Sequence, residues 1–157
     1  MTRLYGRAPK GQRVCGHVPQ NWGHNLTMLA ALSSTGVDAT MTVEGATDTD
    51  VFCAYVSEVL SPTLVKGDIV VLDNLSAHKA QRVRELIEAS GARLVYLPPY
   101  SPDFNPIERC WSKIKTFLRA AKARTRERLD EAIKQAFATI TEADARAWFK
   151  HCGYALR

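Results

Sequence analysis

Residues 94–115 read LVYLPPYSPDFNPIERCWSKIK, and the rest of the fold is organised around this stretch. Residues 94–97 form a short apolar run that is typical of a buried strand. The prolines that follow make a stiff turn, because each one fixes φ and removes a backbone donor. Asn105 suits a helix N-cap and Pro106 suits the first helical position, so a helix is predicted to open here with Glu108 in its first turn.

Glu108 has two interpretations. A glutamate three residues after an Asn cap can bond back to the N–H of the cap, as in a capping box, and taken alone this interpretation is favoured. The alternative is a functional carboxylate, and the evidence for it lies upstream. Residues 68–72 are predicted to form a buried strand that ends at Asp73, and Ser76 is placed to cap the helix that follows.

The segment from residue 68 to residue 97 is predicted to be a strand–helix–strand unit, which implies parallel strands and a right-handed crossover. Asp73 and Glu108 then both follow the carboxyl ends of neighbouring strands, the usual edge for binding and chemistry in open α/β sheets. Asp73 alone could instead serve an Asx turn or a helix cap. Two carboxylates that converge need a cation between them, and hard oxygen ligands favour Mg²⁺ or Mn²⁺.

Hydrophobic periodicity and turn residues predict the remaining elements. These are a short strand at 14–19, an antiparallel hairpin at 26–32 and 37–43, a helix at 47–60, and helices at 125–139 and 141–150. Thr47 and Asp50 match a capping box for the first of these helices, and Thr141 suits the N-cap of the last.

The composition is that of one soluble globular domain, with 157 residues, 46% of them apolar and 24% charged. No apolar run is long enough to span a membrane. The four cysteines form no Cys-x-x-Cys pair, so they are interpreted as reduced thiols of a cytoplasmic protein. Cys15, His17 and His24 have no recognised ligand spacing, and a structural role is favoured for them.

Positive charge is concentrated in the second half of the chain. The net charge is +5, but residues 109–128 alone carry eight basic residues and one acid. Such a run is either a solvated helix face or a surface for a polyanion such as DNA. The candidate DNA-binding residues are Arg109, Lys113, Lys115, Arg119, Lys122 and Arg124.

Two motifs carry a resemblance to a known family. The sequences VVLDNLSAHK at 70–79 and LVYLPPYSPDFNPIERCWSKIK at 94–115 resemble those of DDE transposases of the mariner-related superfamily, most closely the bacterial insertion sequence 630 group. The 34 residues between Asp73 and Glu108 match the separation of that group's second and third catalytic acids. Residues 5–11, YGRAPKG, are similar to a stretch near the start of its catalytic domain.

The resemblance implies an α/β ribonuclease H-like fold, a mixed five-stranded sheet with helices on both faces. It also implies two divalent ions, Mg²⁺ or Mn²⁺, held by three carboxylates, with Asp73 and Glu108 as the second and third catalytic ligands. The implied activity is metal-dependent DNA strand cleavage and strand transfer in transposition. The supporting motif residues are Asn74, His78, Pro98, Pro99, Tyr100, Ser101, Pro102, Asn105 and Pro106.

One departure from the family pattern concerns the first catalytic aspartate, which family members carry on a strand shortly before the segment matching residues 5–11. Nothing upstream of Tyr5 is acidic here. The expectation is therefore that residues 1–157 are an N-terminally truncated catalytic domain that lacks its first central strand and is inactive alone. The freed strand edges would close on each other, take up residues 1–13, or pair with another chain.

The partners implied are DNA, as transposon ends and target duplex, and an upstream transposase fragment or a second copy of the chain, with no membrane. Two alternatives stay open. One is a non-catalytic transposase remnant that binds DNA through its basic helices. The other is an unrelated metal-dependent nuclease of the same fold class.

Overall fold

The computed structural model describes residues 5–16 and 25–156. Residues 5–13 form a loop with one turn, and residues 14–16 form no strand. The rest of the strand predicted at 14–19 lies outside the described residues. None of the helices in the described part of the chain combines the length and apolarity that crossing a bilayer requires.

The predicted hairpin is confirmed. Strand β1, Leu26–Ser33, pairs in antiparallel fashion with β2, Gly36–Glu44, and the ladder closes with Ser33 opposite Gly36. Residues on the two faces of β1 join different hydrophobic clusters, because alternate side chains of a strand point to opposite faces. The hairpin is therefore covered by helices on both faces, as the family resemblance implied.

The first helix begins later than predicted and changes its pitch. Helix α1, Thr49–Tyr55, continues as a π-helical turn at Val56–Leu60 and a 3₁₀ turn at Ser61–Thr63. Its N-cap is Asp48, whose carboxylate accepts a hydrogen bond from the Val51 N–H at 2.9 Å. The capping box predicted for Thr47 and Asp50 is therefore wrong, because the N-cap lies one residue later than predicted, at Asp48.

The strand–helix–strand unit is confirmed. Strand β3, Ile69–Leu72, runs parallel to β4, Arg93–Tyr96, and they are joined by a 3₁₀ turn, Ser76–Lys79, and helix α2, Gln81–Ala89. The prediction that Ser76 caps this helix is wrong, since the 3₁₀ turn intervenes and the N-cap is Ala80, without a side-chain bond.

Three helices complete the chain. They are α3, Pro106–Ala121, α4, Arg126–Ala138, and α5, Glu142–His151. Thr141 caps α5 as predicted, in a capping box with Asp144. All four cysteines are free, as predicted, and only Cys15 is exposed.

Strand β3 is buried on only one face. Val70 and Leu72 pack against the cluster formed by α1 and α2, whereas Ile69 is 54% exposed and Val71 is 37% exposed. On β4, Val95 is 37% exposed as well. The expectation that this strand is buried is thus wrong for every second residue. Those side chains lie on the face of the sheet that nothing among the described residues covers.

The four strands form two separate two-stranded sheets, β1–β2 and β3–β4. Within the described residues no hydrogen-bonded pairing joins them, although side chains of both sheets pack against one hydrophobic cluster that includes Phe52, Val56 and Ile87. In a second cluster Cys110 and Ile114 of α3 pack with Ile133 of α4, and this cluster receives the other face of the hairpin. Among the described residues, β1 and β3 therefore each keep one unpaired edge, and these edges have not paired with each other.

Candidate functional site

The two predicted acids meet in one pocket. Asp73 follows the last residue of β3, and Glu108 lies in the first turn of α3, after the turn that leaves β4. Both line a pocket of about 440 Å³. The supporting residues that share this lining are Asn74, Pro98, Pro99, Tyr100, Ser101, Pro102 and Asn105.

The Asp73 carboxylate is oriented by two contacts to one oxygen. Its Oδ1 accepts a hydrogen bond from the Leu75 N–H at 3.0 Å and lies 2.7 Å from Nδ1 of His78. An ionised carboxylate can only accept, so this second contact requires a proton on the His78 Nδ1. Within the described structure Oδ2 makes no hydrogen bond, which leaves that oxygen available to a ligand in the pocket.

His78 is itself held on two sides. Its side chain is only 15% exposed, and its ring lies 4.2 Å from the ring of Phe52 on α1. Its backbone carbonyl accepts a hydrogen bond from the Tyr96 hydroxyl at 2.8 Å. The position of the Asp73 carboxylate therefore depends on packing against α1 and on the end of β4.

Asn74 joins the two halves of the site. Its amide Nδ2 donates to the Leu97 carbonyl at 2.5 Å, and the Leu97 N–H donates to the Leu72 carbonyl at 2.9 Å. The parallel pairing thus extends past both strands, so that the loop after β3 is fixed relative to the proline-rich turn.

Glu108 is exposed and its carboxylate is unengaged. Asn105 occupies the N-cap and Pro106 the first helical position, as predicted, and Pro106 is buried below the pocket residues. The Asn105 side chain makes no capping bond. No hydrogen bond or ion pair reaches the Glu108 carboxylate from the part of the chain that the structure describes, so the capping-box interpretation is not supported. The N-terminal end of α3 also favours a negative charge there.

The turn between β4 and α3 presents Tyr100 in an uncommon conformation. Tyr100 has φ +57°, in the left-handed region that costs a residue other than glycine roughly 1–2 kcal/mol. Prolines at positions 99 and 102 restrict the backbone on either side. The Ser101 hydroxyl donates to the Pro99 carbonyl at 3.2 Å, which closes the turn on itself.

Three of the predicted DNA-binding residues share the helix face of Glu108. At 100° per residue, Lys115, Arg119 and Lys122 fall within about 40° of Glu108 around α3. All three are exposed, and we call them the basic stripe. Lys122 ends the helix in a left-handed conformation with φ +50°. The stripe thus extends from the pocket along the helix for about 20 Å at 1.5 Å per residue.

The other three candidates have partners inside the chain. Lys113 donates to Asp144 Oδ2 at 2.7 Å and to the Thr139 carbonyl at 2.8 Å, which ties α3 to α5. Arg109 contacts His151 at the end of α5. Arg124 takes part in an interaction within the chain.

The pocket suits a hard divalent cation. Mg²⁺ and Mn²⁺ prefer oxygen ligands, and Mg²⁺ is commonly held by one or two carboxylates together with water and substrate phosphates. Asp73 and Glu108 supply two such carboxylates. Among the described residues no group of three or more His, Cys, Asp or Glu side chains is placed to hold a metal. These two carboxylates could therefore hold such an ion only together with water or a substrate phosphate.

Sequence reasoning missed three residues in or next to the pocket. Lys79 and Leu75 also line the pocket, and the Tyr96 hydroxyl supports His78. Lys79 stands beside His78 in the motif at 70–79, so its position was a usable signal. The Tyr96 contact depends on the 3₁₀ turn at Ser76–Lys79, which hydrophobic periodicity does not reveal.

Comparison with solved structures shows the fold. A Mos1 mariner paired-end complex with Mn matches with a TM-score of 0.72 at 17% identity, over 96% of this chain and 47% of that chain. The Mos1 transposase catalytic domain, solved with raltegravir and Mg, matches with a TM-score of 0.63 at 14% identity, over 85% of this chain and 84% of that one. The BIV integrase catalytic core matches with a TM-score of 0.51 at 15% identity, over 84% and 99% of the respective chains.

The predicted ribonuclease H-like fold is thus confirmed, and the chain spans about half the length of the first of these transposase chains. A search of curated proteins found no match. A family model described as DDE superfamily endonuclease matches residues 1–130. The match covers most of the 157 residues, and the chain belongs to the DDE superfamily endonuclease family.

Proposed function

We propose that this chain is the catalytic domain of a DDE transposase in which Asp73 and Glu108 hold Mg²⁺ or Mn²⁺ for DNA strand cleavage and strand transfer. The observation that supports this most directly is that both acids line one pocket although 34 residues separate them. A divalent ion bound there would activate a water or a 3′-hydroxyl and stabilise the charge on the phosphate oxygens.

The residues of the chain would prepare this site before the ion arrives. Leu75 and His78 engage Oδ1 of Asp73, so its Oδ2 is the oxygen available for ligation. The free Glu108 carboxylate would supply the second ligand. Asn74 keeps the two sides of the pocket in register through its bond to Leu97.

The substrates we propose are transposon ends and a target duplex, as in the bacterial insertion sequence 630 group that the motifs resemble. The basic stripe would contact the phosphates of the strand that enters the pocket, because it lies on the same helix face as Glu108. DNA as substrate and four free thiols favour a cytoplasmic location.

A further strand is part of this proposal. The edges of β1 and β3 are open, and both sheets pack on one cluster, so an extended segment would pair between them. We propose that an upstream transposase fragment supplies this strand, together with a third acid. A second copy of the chain is the competing partner for these edges.

The experiment measures metal binding and cleavage separately. Mn²⁺ binding to the 157-residue chain is followed by electron paramagnetic resonance, and nicking of supercoiled DNA is assayed with Mg²⁺ or Mn²⁺ with and without the upstream fragment. Asp73→Asn and Glu108→Gln should each abolish nicking and weaken Mn²⁺ binding while circular dichroism stays unchanged. Asp103→Asn is the matched control, because Asp103 is an exposed acid of the same turn that does not line the pocket.

Three results would overturn the proposal. Mn²⁺ binding that survives Asp73→Asn and Glu108→Gln together would place the metal elsewhere. DNA binding without any metal binding or nicking, even with the upstream fragment, would support the non-catalytic remnant. Nicking without strand transfer to a target duplex would support a nuclease instead of a transposase.

A further inference from the structure

The side chain of Tyr100 is fully exposed at the rim of the acid pocket. Its exposed fraction is 102%, more than that of any other large hydrophobic residue described. Aromatic side chains usually bury most of their surface, so a ring displayed in this way is available to a planar partner. The metal chemistry proposed above makes no use of this ring.

The backbone holds Tyr100 in place. Its left-handed conformation, with φ +57°, lies between prolines at positions 99 and 102 and beside the Ser101–Pro99 hydrogen bond. A stiff backbone loses little conformational entropy when the ring binds something. The turn therefore displays the ring continuously instead of exposing it only on binding.

The pocket that Tyr100 lines contains two chemically different kinds of residue. The lining includes the acids Asp73 and Glu108, and it also includes apolar residues, namely Leu75, 59% exposed, and the two prolines before Tyr100. Lys79 adds a cation to the lining. A nucleotide has matching parts, because its phosphate suits a metal held by the acids and its base has an apolar face.

We propose that Tyr100 is a stacking site for an unpaired nucleobase next to the phosphate that the two acids process. This rests on the proposed function. Bases inside a duplex are covered by their neighbours, so the ring can stack only on a base that has left the helix through fraying, bulging or flipping. Stacking is tolerant of sequence because every base has a π-face.

The test compares two DNAs that differ in one base. One is a fully paired duplex, and the other is the same duplex with a single bulged 2-aminopurine. Affinity is measured by anisotropy at low salt in the presence of Ca²⁺, and stacking is measured by quenching of the 2-aminopurine fluorescence. The wild-type chain should prefer the bulged DNA and quench its fluorescence.

Two variants remove the ring in different ways. Tyr100→Ala should reduce the preference for bulged DNA by about 5- to 100-fold, while binding to the paired duplex is retained. Tyr100→Asn should do the same, and because Asn tolerates the left-handed region it keeps the turn intact. Tyr100→Phe should retain the preference. Tyr5→Ala is the control, since Tyr5 is 90% exposed away from the pocket.

The outcomes separate this inference from the proposed function. If the wild-type chain binds both DNAs equally, or if Tyr100→Asn keeps both the preference and the quenching, the stacking site is overturned while DNA binding stands. If neither DNA is bound at low salt, DNA binding itself fails, and the stacking site fails with it.

Discussion

At the residue scale, the site depends on how Asp73 is oriented. One of its oxygens is engaged by two donors and the other makes no bond within the described structure. If Asp73 holds a metal ion, as we propose, His78 would act as its positioning residue. Loss of such a supporting contact typically weakens metal affinity by about 10- to 100-fold.

We therefore expect His78→Ala to weaken Mn²⁺ binding by about that factor, measured by electron paramagnetic resonance. His78→Asn, which retains a side-chain donor, should recover part of the affinity. His151→Ala is the control, because His151 lies at the end of α5 and contacts Arg109. Equal Mn²⁺ affinity in His78→Ala and the wild type would contradict the positioning role.

The sequence was sufficient to predict most of the residues that line this pocket. It did not reveal the hydrogen bonds that orient their side chains. Asp73, Glu108 and the proline-rich turn could be identified because strand ends, prolines and N-caps have local signatures. The His78 contact could not, since it spans five residues across a 3₁₀ turn where an α-helix was expected.

At the element scale, α3 carries basic residues with partners inside the chain and basic residues of the exposed stripe. The sequence analysis treated both kinds as one basic run. Lys113 points toward α5, where its hydrogen bond to Asp144, with bonds from Thr141, lowers the pKa of that carboxyl to about 2. Solvent reaches both partners, so the ion pair stabilises the fold by less than the full pKa shift would imply. We expect it to contribute about 1 kcal/mol to the free energy of unfolding.

Lys113→Met should therefore lower the free energy of unfolding by about 1 kcal/mol at pH 7, measured by urea titration. The folded-state pKa of Asp144 lies below its usual value of 3.8, so this contribution is complete above about pH 4 and disappears as the pH falls to about 2. Lys115→Met, two residues along the same helix, should leave stability unchanged. A difference between Lys113→Met and wild type that is undiminished at pH 2 would exclude the ion pair as the cause.

The basic stripe predicts a salt dependence of its own. Three phosphate contacts give a slope of log K against log salt of about −2.7, at 0.9 per phosphate. When Lys115, Arg119 and Lys122 are all changed to Ala, the slope should become less negative by about 2.7, as measured by anisotropy with a duplex. The control changes three exposed cations on other helices, Arg82, Lys134 and Lys150, to Ala. A slope reduced equally by both triple variants would mean that binding responds to net charge and not to the stripe.

At the scale of the whole molecule, the divided sheet is the main departure from expectation. The apolar runs of β3 and β4 correctly predicted parallel strands, but local sequence does not say what covers the second face of a sheet. Ile69 and Val71 are consequently exposed beside an open strand edge. Such edges and patches pair readily with other chains.

We expect the isolated chain to associate through this surface as its concentration rises, and sedimentation velocity measures that association. Ile69→Lys places a charge on the open strand and should shift the equilibrium toward monomer. Val65→Lys is the matched control, because Val65 is 65% exposed in the loop before β3. A wild-type chain that remains monomeric throughout the concentration series would contradict this prediction.

The proline-rich turn also determines how the site can be observed. Four of the nine residues from position 98 to position 106 are prolines, and a proline has no amide proton. Amide-detected NMR and hydrogen exchange therefore receive fewer signals from this turn, which lines the pocket just before Glu108. Carbon-detected spectra, or a fluorine label on the Tyr100 ring, would give this segment a direct reporter.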